Sequence, residues 1–169
     1  KVRIMSSNIW GDYFGNEIAV REDQLLDVFE RYAPDVLGMQ EATKNWRQSA
    51  LFRGLAKDYE FVDTGAFTDN NYTPLVYRRD LFDLIEGGFT KFEDTPDNSK
   101  SCTWAVLEYK GNGRRFGAIS THWWWKNIGK AEDDALRVSN GAKITEIART
   151  LVEKYNIPVF AFGDFNSDV

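Results

Sequence analysis

From Val2 to Asn8 the side chains fall on two faces, with Val2, Ile4, Ser6 and Asn8 on one and Arg3, Met5 and Ser7 on the other. That period of two predicts a strand. Residues 19–33 (AVREDQLLDVFERYA) change the spacing, placing Val20, Leu25, Val28, Phe29 and Tyr32 at near-helical intervals before Pro34. A helix closed by the proline is expected there. Residues 35–41 (DVLGMQE) are a short apolar run that reads as a buried strand, so the chain opens β-α-β.

A second helix is expected over residues 45–56 (NWRQSALFRGLA), then a strand over 59–65 that leads into a loop rich in Asp69, Asn70 and Asn71. The pattern then shortens into four strand-like runs at 73–79, 82–92, 101–110 and 115–122, the last two separated by the turn signal Gly111-Asn112-Gly113. An antiparallel meander follows from this spacing, with its loosest segment at residues 93–101 (EDTPDNSKS). Residues 132–156 read as the longest helix, with Ala135, Val138, Ala142, Ile147 and Leu151 as the buried stripe. Ile157 to Gly163 form the last strand. Strands that partly alternate with helices and partly run as hairpins predict an α/β layered sandwich. There is no fixed-period repeat, low-complexity tract or linker, so residues 1–169 read as a single domain.

Composition narrows the function. The chain has 169 residues, of which 43% are hydrophobic, enough to form one core. Its net charge of -5 argues against a protein that coats long nucleic acid by releasing counterions. An anionic substrate must therefore meet local positive charge or a bound cation. The one cysteine, Cys102, leaves no internal disulfide framework and no Cys-rich metal site. No window approaches an uncharged apolar run of about 20 residues. A soluble protein is expected, either cytoplasmic or secreted after loss of a signal peptide, since the sequence starts at Lys1.

Four expected strands end in polar groups: Asn8, Glu41, His122, and the pair Asp164 and Asn166. If those ends share one rim, the five side chains surround a single crevice, and residues two apart on a strand put Asp164 and Asn166 on the same face. Gly163 lets backbone or ligand approach closely. Glu41, Asn8 and Asp164 offer the hard oxygen donors that Mg²⁺ takes, with Mn²⁺ as a substitute. Phosphoester cleavage needs that kind of charge neutralisation, together with a water held in line; Asp164 is the candidate to orient it.

The segments SSNIW, DVLGMQEA, TPLVYRRDLFDLIE, CTWAVLEYK, ISTHWWW and FGDFNS resemble, in that order, the successive motifs of the endonuclease/exonuclease/phosphatase superfamily. The resemblance implies a DNase I-like sandwich of two mixed sheets flanked by helices, and Mg²⁺-dependent hydrolysis of a phosphodiester or phosphomonoester. It makes Glu41 the metal ligand and places Asn8 beside metal and phosphate. His122 donates to a phosphate oxygen, Asp164 positions or deprotonates the water, and Asn166 helps hold the phosphoryl group. Lys100 stands where similar sequences often carry arginine and is taken as a contact to substrate phosphate, less specific because it offers a point charge in place of a planar fork. The family usually closes with a strand pair ending in Asp-His, and the single histidine here already belongs to STH. The chain is thus expected to lack its final strands.

Thr73, Tyr72 and Asp12 lie in expected loops that could border the crevice, with a surface turn favoured for Asp12. For Trp123, Trp124 and Trp125, neighbours in an extended chain alternate sides; Trp123 is taken as a stacking contact for substrate, against ordinary packing. Arg78, Arg79 and Arg137 read as surface charges or ion pairs. The expected partner is a phosphorylated small molecule, lipid headgroup or nucleic acid, bound by a monomer. The rival readings are a nuclease, and a non-catalytic fragment or degenerate relative that binds phosphorylated ligands.

Overall fold

The computed structural model describes residues 1–62, 71–97 and 99–167. Strand β1 (Ile4–Asn8) lies parallel to β2 (Val36–Gln40), with Asn8 opposite Gln40, and α1 (Glu22–Tyr32) makes the crossover. Ala33 ends α1 in the left-handed region and Pro34 follows, as the sequence signal requires. Strands β3 (Tyr59–Phe61) and β4 (Leu75–Arg78) complete a four-stranded sheet of order β1-β2-β4-β3. The end of the expected 59–65 strand, with Asp69 and Asn70 of the loop beyond it, lies outside the described residues.

The second sheet has the order β5-β6-β7-β8. Strands β5 (Phe82–Lys91), β6 (Ser101–Tyr109) and β7 (Arg115–His122) form the expected antiparallel meander. The short helix α2 spans Ala50–Leu55 and the long helix α3 spans Ala131–Tyr155. Helix α3 crosses over to β8 (Val159–Asp164), which runs parallel to β7 at an open edge with His122 opposite Asp164.

Period-two burial builds three apolar layers. Leu37 and Met39 of β2 pack with Phe29, Trp46, Leu51 and Phe52 under α1 and α2. Val36, Leu75, Tyr77, Ala105, Leu107 and Ala118 meet between the two sheets. Cys102, Ile119 and Ile144 pack on the α3 side. The result is helices, sheet, sheet, helix: the two-sheet sandwich expected for a DNase I-like fold. A wholly buried Leu or Phe side chain contributes about 1.5–3 kcal/mol relative to exposure.

Two helix expectations need correction. The predicted helix over 45–56 is broken: a 3₁₀ turn spans Lys44–Gln48 and α2 begins after Ser49, whose hydroxyl accepts from Phe52 N at 3.2 Å and donates to Trp46 O. A serine that caps a new helix start outcompetes continuation of the old one. In α3 the predicted stripe fails at its start, because Ala135, Val138 and Ala142 are exposed while Asp133, Arg137 and Asn140 are buried. The inner face of the first turns is polar because it holds a loop through hydrogen bonds.

Candidate active site

Both parallel strand pairs end at the same rim of the sandwich, and β1 packs against β8 across it. The sheets approach closely beneath this rim: a Cβ on Gly38 would lie 2.6 Å from Phe162 and from the Ser120 hydroxyl. Gln40 bonds across the gap to Ser120 Oγ at 3.3 Å and accepts from Ser6 Oγ at 3.2 Å. The register therefore delivers Asn8, Glu41, His122 and Asp164 to one place.

At the centre is the Asn8 amide. Its Nδ2 donates to Glu41 Oε1 at 2.8 Å and to Asp164 Oδ2 at 3.0 Å, so one neutral group joins two carboxylates. Glu41, held at a left-handed φ of 60°, also accepts from Gly11 N at 3.0 Å and from the Tyr13 hydroxyl at 2.6 Å. Burial works against its ionisation, yet these hydrogen bonds hold its pKa below the ordinary value. The Tyr13 phenol is pushed up by burial and by Glu41 and so stays a donor.

His122 faces Lys100, with Nζ 2.9 Å from Nε2, and its Nε2 lies 3.8 Å from Asp164 Oδ2. Both residues are buried, at 2% and 3% exposure. Lys100 immediately precedes β6, whose Ser101 pairs with His122 across the ladder, which explains the contact. Burial, reinforced by the Lys100 ammonium, pushes the imidazole pKa down to about 4. Burial also lowers that of Lys100, against the pull of Asp97, Glu41 and Asp164. Because the chain has one histidine, NMR titration reads this directly: the imidazole should titrate near pH 4, well below the free value near 6.5. The unfolded chain then binds the extra proton first as pH falls. The stabilising contribution is therefore complete above about 6.5 and is lost as pH falls through that value toward 4. A midpoint near 6.5 in the folded protein would contradict the buried Lys100–His122 contact.

Asp164 Oδ1 accepts from Asn166 N at 3.0 Å, and Asn166 Nδ2 donates to Trp123 O at 3.0 Å. The pair forms an Asx turn with Asn166 at a φ of 47°, so the expected shared strand face gives way to a turn that begins where β8 stops. Two hollows meet at Asn166. One, of about 630 Å³, is lined by Glu41, His122 and Lys100; the other, of about 530 Å³, is lined by Asn8, Gly163 and Asp164.

Two expected substrate contacts lie elsewhere. Thr73 is wholly buried, its hydroxyl 2.9 Å from Ser101 Oγ and its N–H donating to Asn71 Oδ1 at 3.0 Å. It braces the floor behind the cleft rather than lining it. Trp123 packs edge-on against Phe165, with ring centroids 4.8 Å apart, and against α3 at Gly141, whereas Trp125 lines the cleft. The cause is the polar face of α3: Asn140 Oδ1 accepts from Trp124 N at 3.0 Å, and Asp133 Oδ1 accepts from Trp124 Nε1 at 2.6 Å. Arg137 caps the Lys126 carbonyl at 2.7 Å. These bonds turn Trp124 inward and its neighbour outward. Asn140→Ala should cost about 1–3 kcal/mol by leaving the buried Trp124 N–H unsatisfied, read from the midpoint of urea unfolding.

The arginines read as expected. Arg78 pairs with Asp80 at 2.9 and 2.8 Å, and Arg79 caps the carbonyls of Ala56 and Tyr59. Asp12 accepts from Asn45 Nδ2 at 2.5 Å and from Thr43, which ties the loop after β1 to the one after β2. Sequence reasoning missed Trp10, Tyr13, Phe14 and Asp97 as cleft residues and, within the tryptophan run, singled out Trp123 in place of Trp125. Aromatics on either side of Gly11 directly after a polar strand end, Trp10 before it and Tyr13 and Phe14 after it, were the available signal for three of them. Among the described residues no group of three or more His, Cys, Asp and Glu is arranged to hold a metal ion, and no helix is long and apolar enough to cross a membrane.

This arrangement of strand ends defines a class. The model of the endonuclease/exonuclease/phosphatase family matches residues 5–169, and the chain belongs to that family. Its fold is similar to an endonuclease/exonuclease/phosphatase family protein of Bacteroides thetaiotaomicron, with 20% identity and a TM-score of 0.76 over 98% of this chain and 63% of that one. The human Nocturnin catalytic domain, solved with a bound sulfate anion, is similar at 21% identity and TM-score 0.77, covering 99% of this chain and 65% of that domain. A mannosyl-6-phosphatase of B. thetaiotaomicron matches at 19% identity and TM-score 0.75, with coverage of 100% and 67%. The chain thus spans about two thirds of the length of these structures. No curated protein matches it by sequence.

Proposed function

We propose that the protein is a divalent-cation-dependent phosphoesterase in which water attacks phosphorus in line. The observation that carries this reading is the Asn8 amide, which holds the Glu41 and Asp164 carboxylates together beside the Lys100–His122 pair. Two carboxylates joined by one neutral amide are short of positive charge. Their hard oxygens, with no thiol nearby, fit Mg²⁺ or Mn²⁺, which need only one or two carboxylates when waters complete the shell. Glu41 and Asp164 would hold the ion, with the Asn8 amide beside it. Bound there, the cation supplies positive charge against the negative charge building on the phosphoryl oxygens.

The remaining roles belong to side chains. Asp164 orients the water and takes its proton. Its own orientation is set by Asn8 on one oxygen and Asn166 N–H on the other. The water oxygen joins phosphorus as the ester oxygen leaves with the bonding pair and gains a proton. Lys100 is the cationic donor at the cleft, and neutral His122 is fixed against it, so the pair meets an anionic oxygen as one unit. Asn166, common to both hollows, faces the phosphoryl group between them. Family relatives are described as acting on mannosyl 6-phosphate and on 2′,3′-cyclic phosphate, which supports phosphoester hydrolysis as the shared chemistry.

The test is nitrophenol release from bis- and mono-nitrophenyl phosphate. Release should stop with chelator and return with added Mg²⁺ or Mn²⁺, and calorimetry should detect ion binding that Glu41→Gln weakens at least about tenfold. Hydrolysis indifferent to chelator, or no ion binding, would remove the proposal.

A further inference from the structure

The mouth of the cleft beside Glu41, His122 and Lys100 is aromatic, formed by Trp10, Tyr13, Phe14 and Trp125. Phe14 is 97% exposed, Trp10 55% and Trp125 52%. Leaving such rings in water forgoes burial worth about 1.5–3 kcal/mol each. Trp10 and Phe14 also hold φ values of 56° and 58°, a region that bulky side chains avoid and that is found at ligand clamps. The rings are nonetheless supported. Tyr13 meets Phe14 edge-on at 5.8 Å, Arg21 lies 5.6 Å from the Trp10 centroid, and Lys126 lies 5.6 Å from that of Trp125.

Charge is the second observation. Among the described residues lining the cleft, Lys100 is the one cation, set beside the carboxylates of Glu41 and Asp97. Arg21 donates to the carbonyls of Ile9, Trp10, Asn16 and Glu17. A groove that tracks a nucleic-acid backbone needs repeated positive charge. This one accepts a single phosphoryl group near Lys100 and repels a second at Asp97. What remains for the rest of a ligand is ring faces and hydroxyl-binding groups: the Asp97 carboxylate and the hydroxyls of Thr43, Tyr72 and Ser99.

Resting on the phosphoesterase reading, we infer that the cleft receives the alcohol half of a phosphomonoester as a neutral, hydroxyl-rich ring, making a sugar monophosphate the substrate class. The C–H face of such a ring packs on the indoles, and its equatorial hydroxyls reach Asp97 and the neighbouring hydroxyl groups.

Binding is measured in the Asp164→Asn protein at a Mg²⁺ concentration at which calorimetry shows the ion bound through Glu41, by tryptophan emission and calorimetry, with glucose 6-phosphate, adenosine 5′-monophosphate, a short oligonucleotide and inorganic phosphate as probes. Glucose 6-phosphate should bind at least about tenfold tighter than inorganic phosphate and than either nucleic-acid probe, with a change in emission. Trp125→Ala and Trp10→Ala, both at exposed rings, should each remove most of that margin. In the wild-type protein the same two substitutions should raise KM for glucose 6-phosphate about tenfold or more. Tighter binding of the nucleotide or oligonucleotide overturns the inference while leaving the phosphoesterase reading standing, as does a sugar phosphate bound no better than phosphate. Failure of every probe, phosphate included, overturns both.

Discussion

Asp164→Asn is expected to lower phosphoester hydrolysis by about 10²–10⁴-fold, the range that a positioned base contributes. The substitution is nearly isosteric, but both oxygens of Asp164 accept, one from Asn8 Nδ2 and one from Asn166 N. An amide can satisfy only one of them, so whichever way it turns a donor meets a donor. The variant therefore loses the base and also loosens the clamp on Asn8. Glu41→Gln should respond differently: it weakens ion binding but leaves the water-orienting group in place, so excess Mg²⁺ should recover part of its activity, whereas Asp164→Asn loses an ion ligand and the base together, and excess Mg²⁺ cannot restore the base. Steady-state rates across a Mg²⁺ titration separate the two. Identical responses, or wild-type activity in Asp164→Asn, would remove the assigned roles.

Gly163→Ala should be the most disruptive glycine-to-alanine change among the described residues. A Cβ at this position would lie 2.0 Å from the Thr121 carbonyl oxygen, and the backbone φ of 156° belongs to glycine. The obstacle is backbone of the partner strand, which no rotamer change relieves. Strands β7 and β8 must separate at Thr121 and Gly163, next to the pair that sets His122 opposite Asp164. We expect a loss of about 3 kcal/mol or more of stability, comparable to the largest single-site effects, read from urea unfolding. Any protein that still folds should have lost hydrolysis too, because Asp164 follows Gly163 directly. Phe160→Ala in the same strand, at a side chain 48% exposed, should cost far less. A Gly163→Ala protein with the wild-type midpoint would show that β8 does not need this close approach.

Much of this architecture was legible along the chain. Period-two alternation located the strands, and the crossover α1 and the helix before β8 followed from apolar spacing, with Pro34 closing the first of them. Polar residues at four strand ends marked the site because a carboxylate after an apolar run has to find a partner. Individual orientations were less legible. The α3 stripe was misread because its first turns bury Asp133, Arg137 and Asn140, a polar face that periodicity of apolar residues cannot reveal. Thr73 was expected at the cleft but turns inward to Ser101 Oγ, a partner on another strand.

The chain's own pattern of apolar and polar positions determined the layered α/β sandwich and the short list of residues with chemistry, since strand period and strand-end polarity are local properties; the family and its two sheets were expected from the resemblance of six motifs in order. Tertiary structure alone decided that Asn8 bridges Glu41 and Asp164, that Lys100 rests against His122, and that Trp125 rather than Trp123 faces the cleft. Each of those depends on groups far apart in sequence competing for one hydrogen bond or one face, and only packing settles which of them wins.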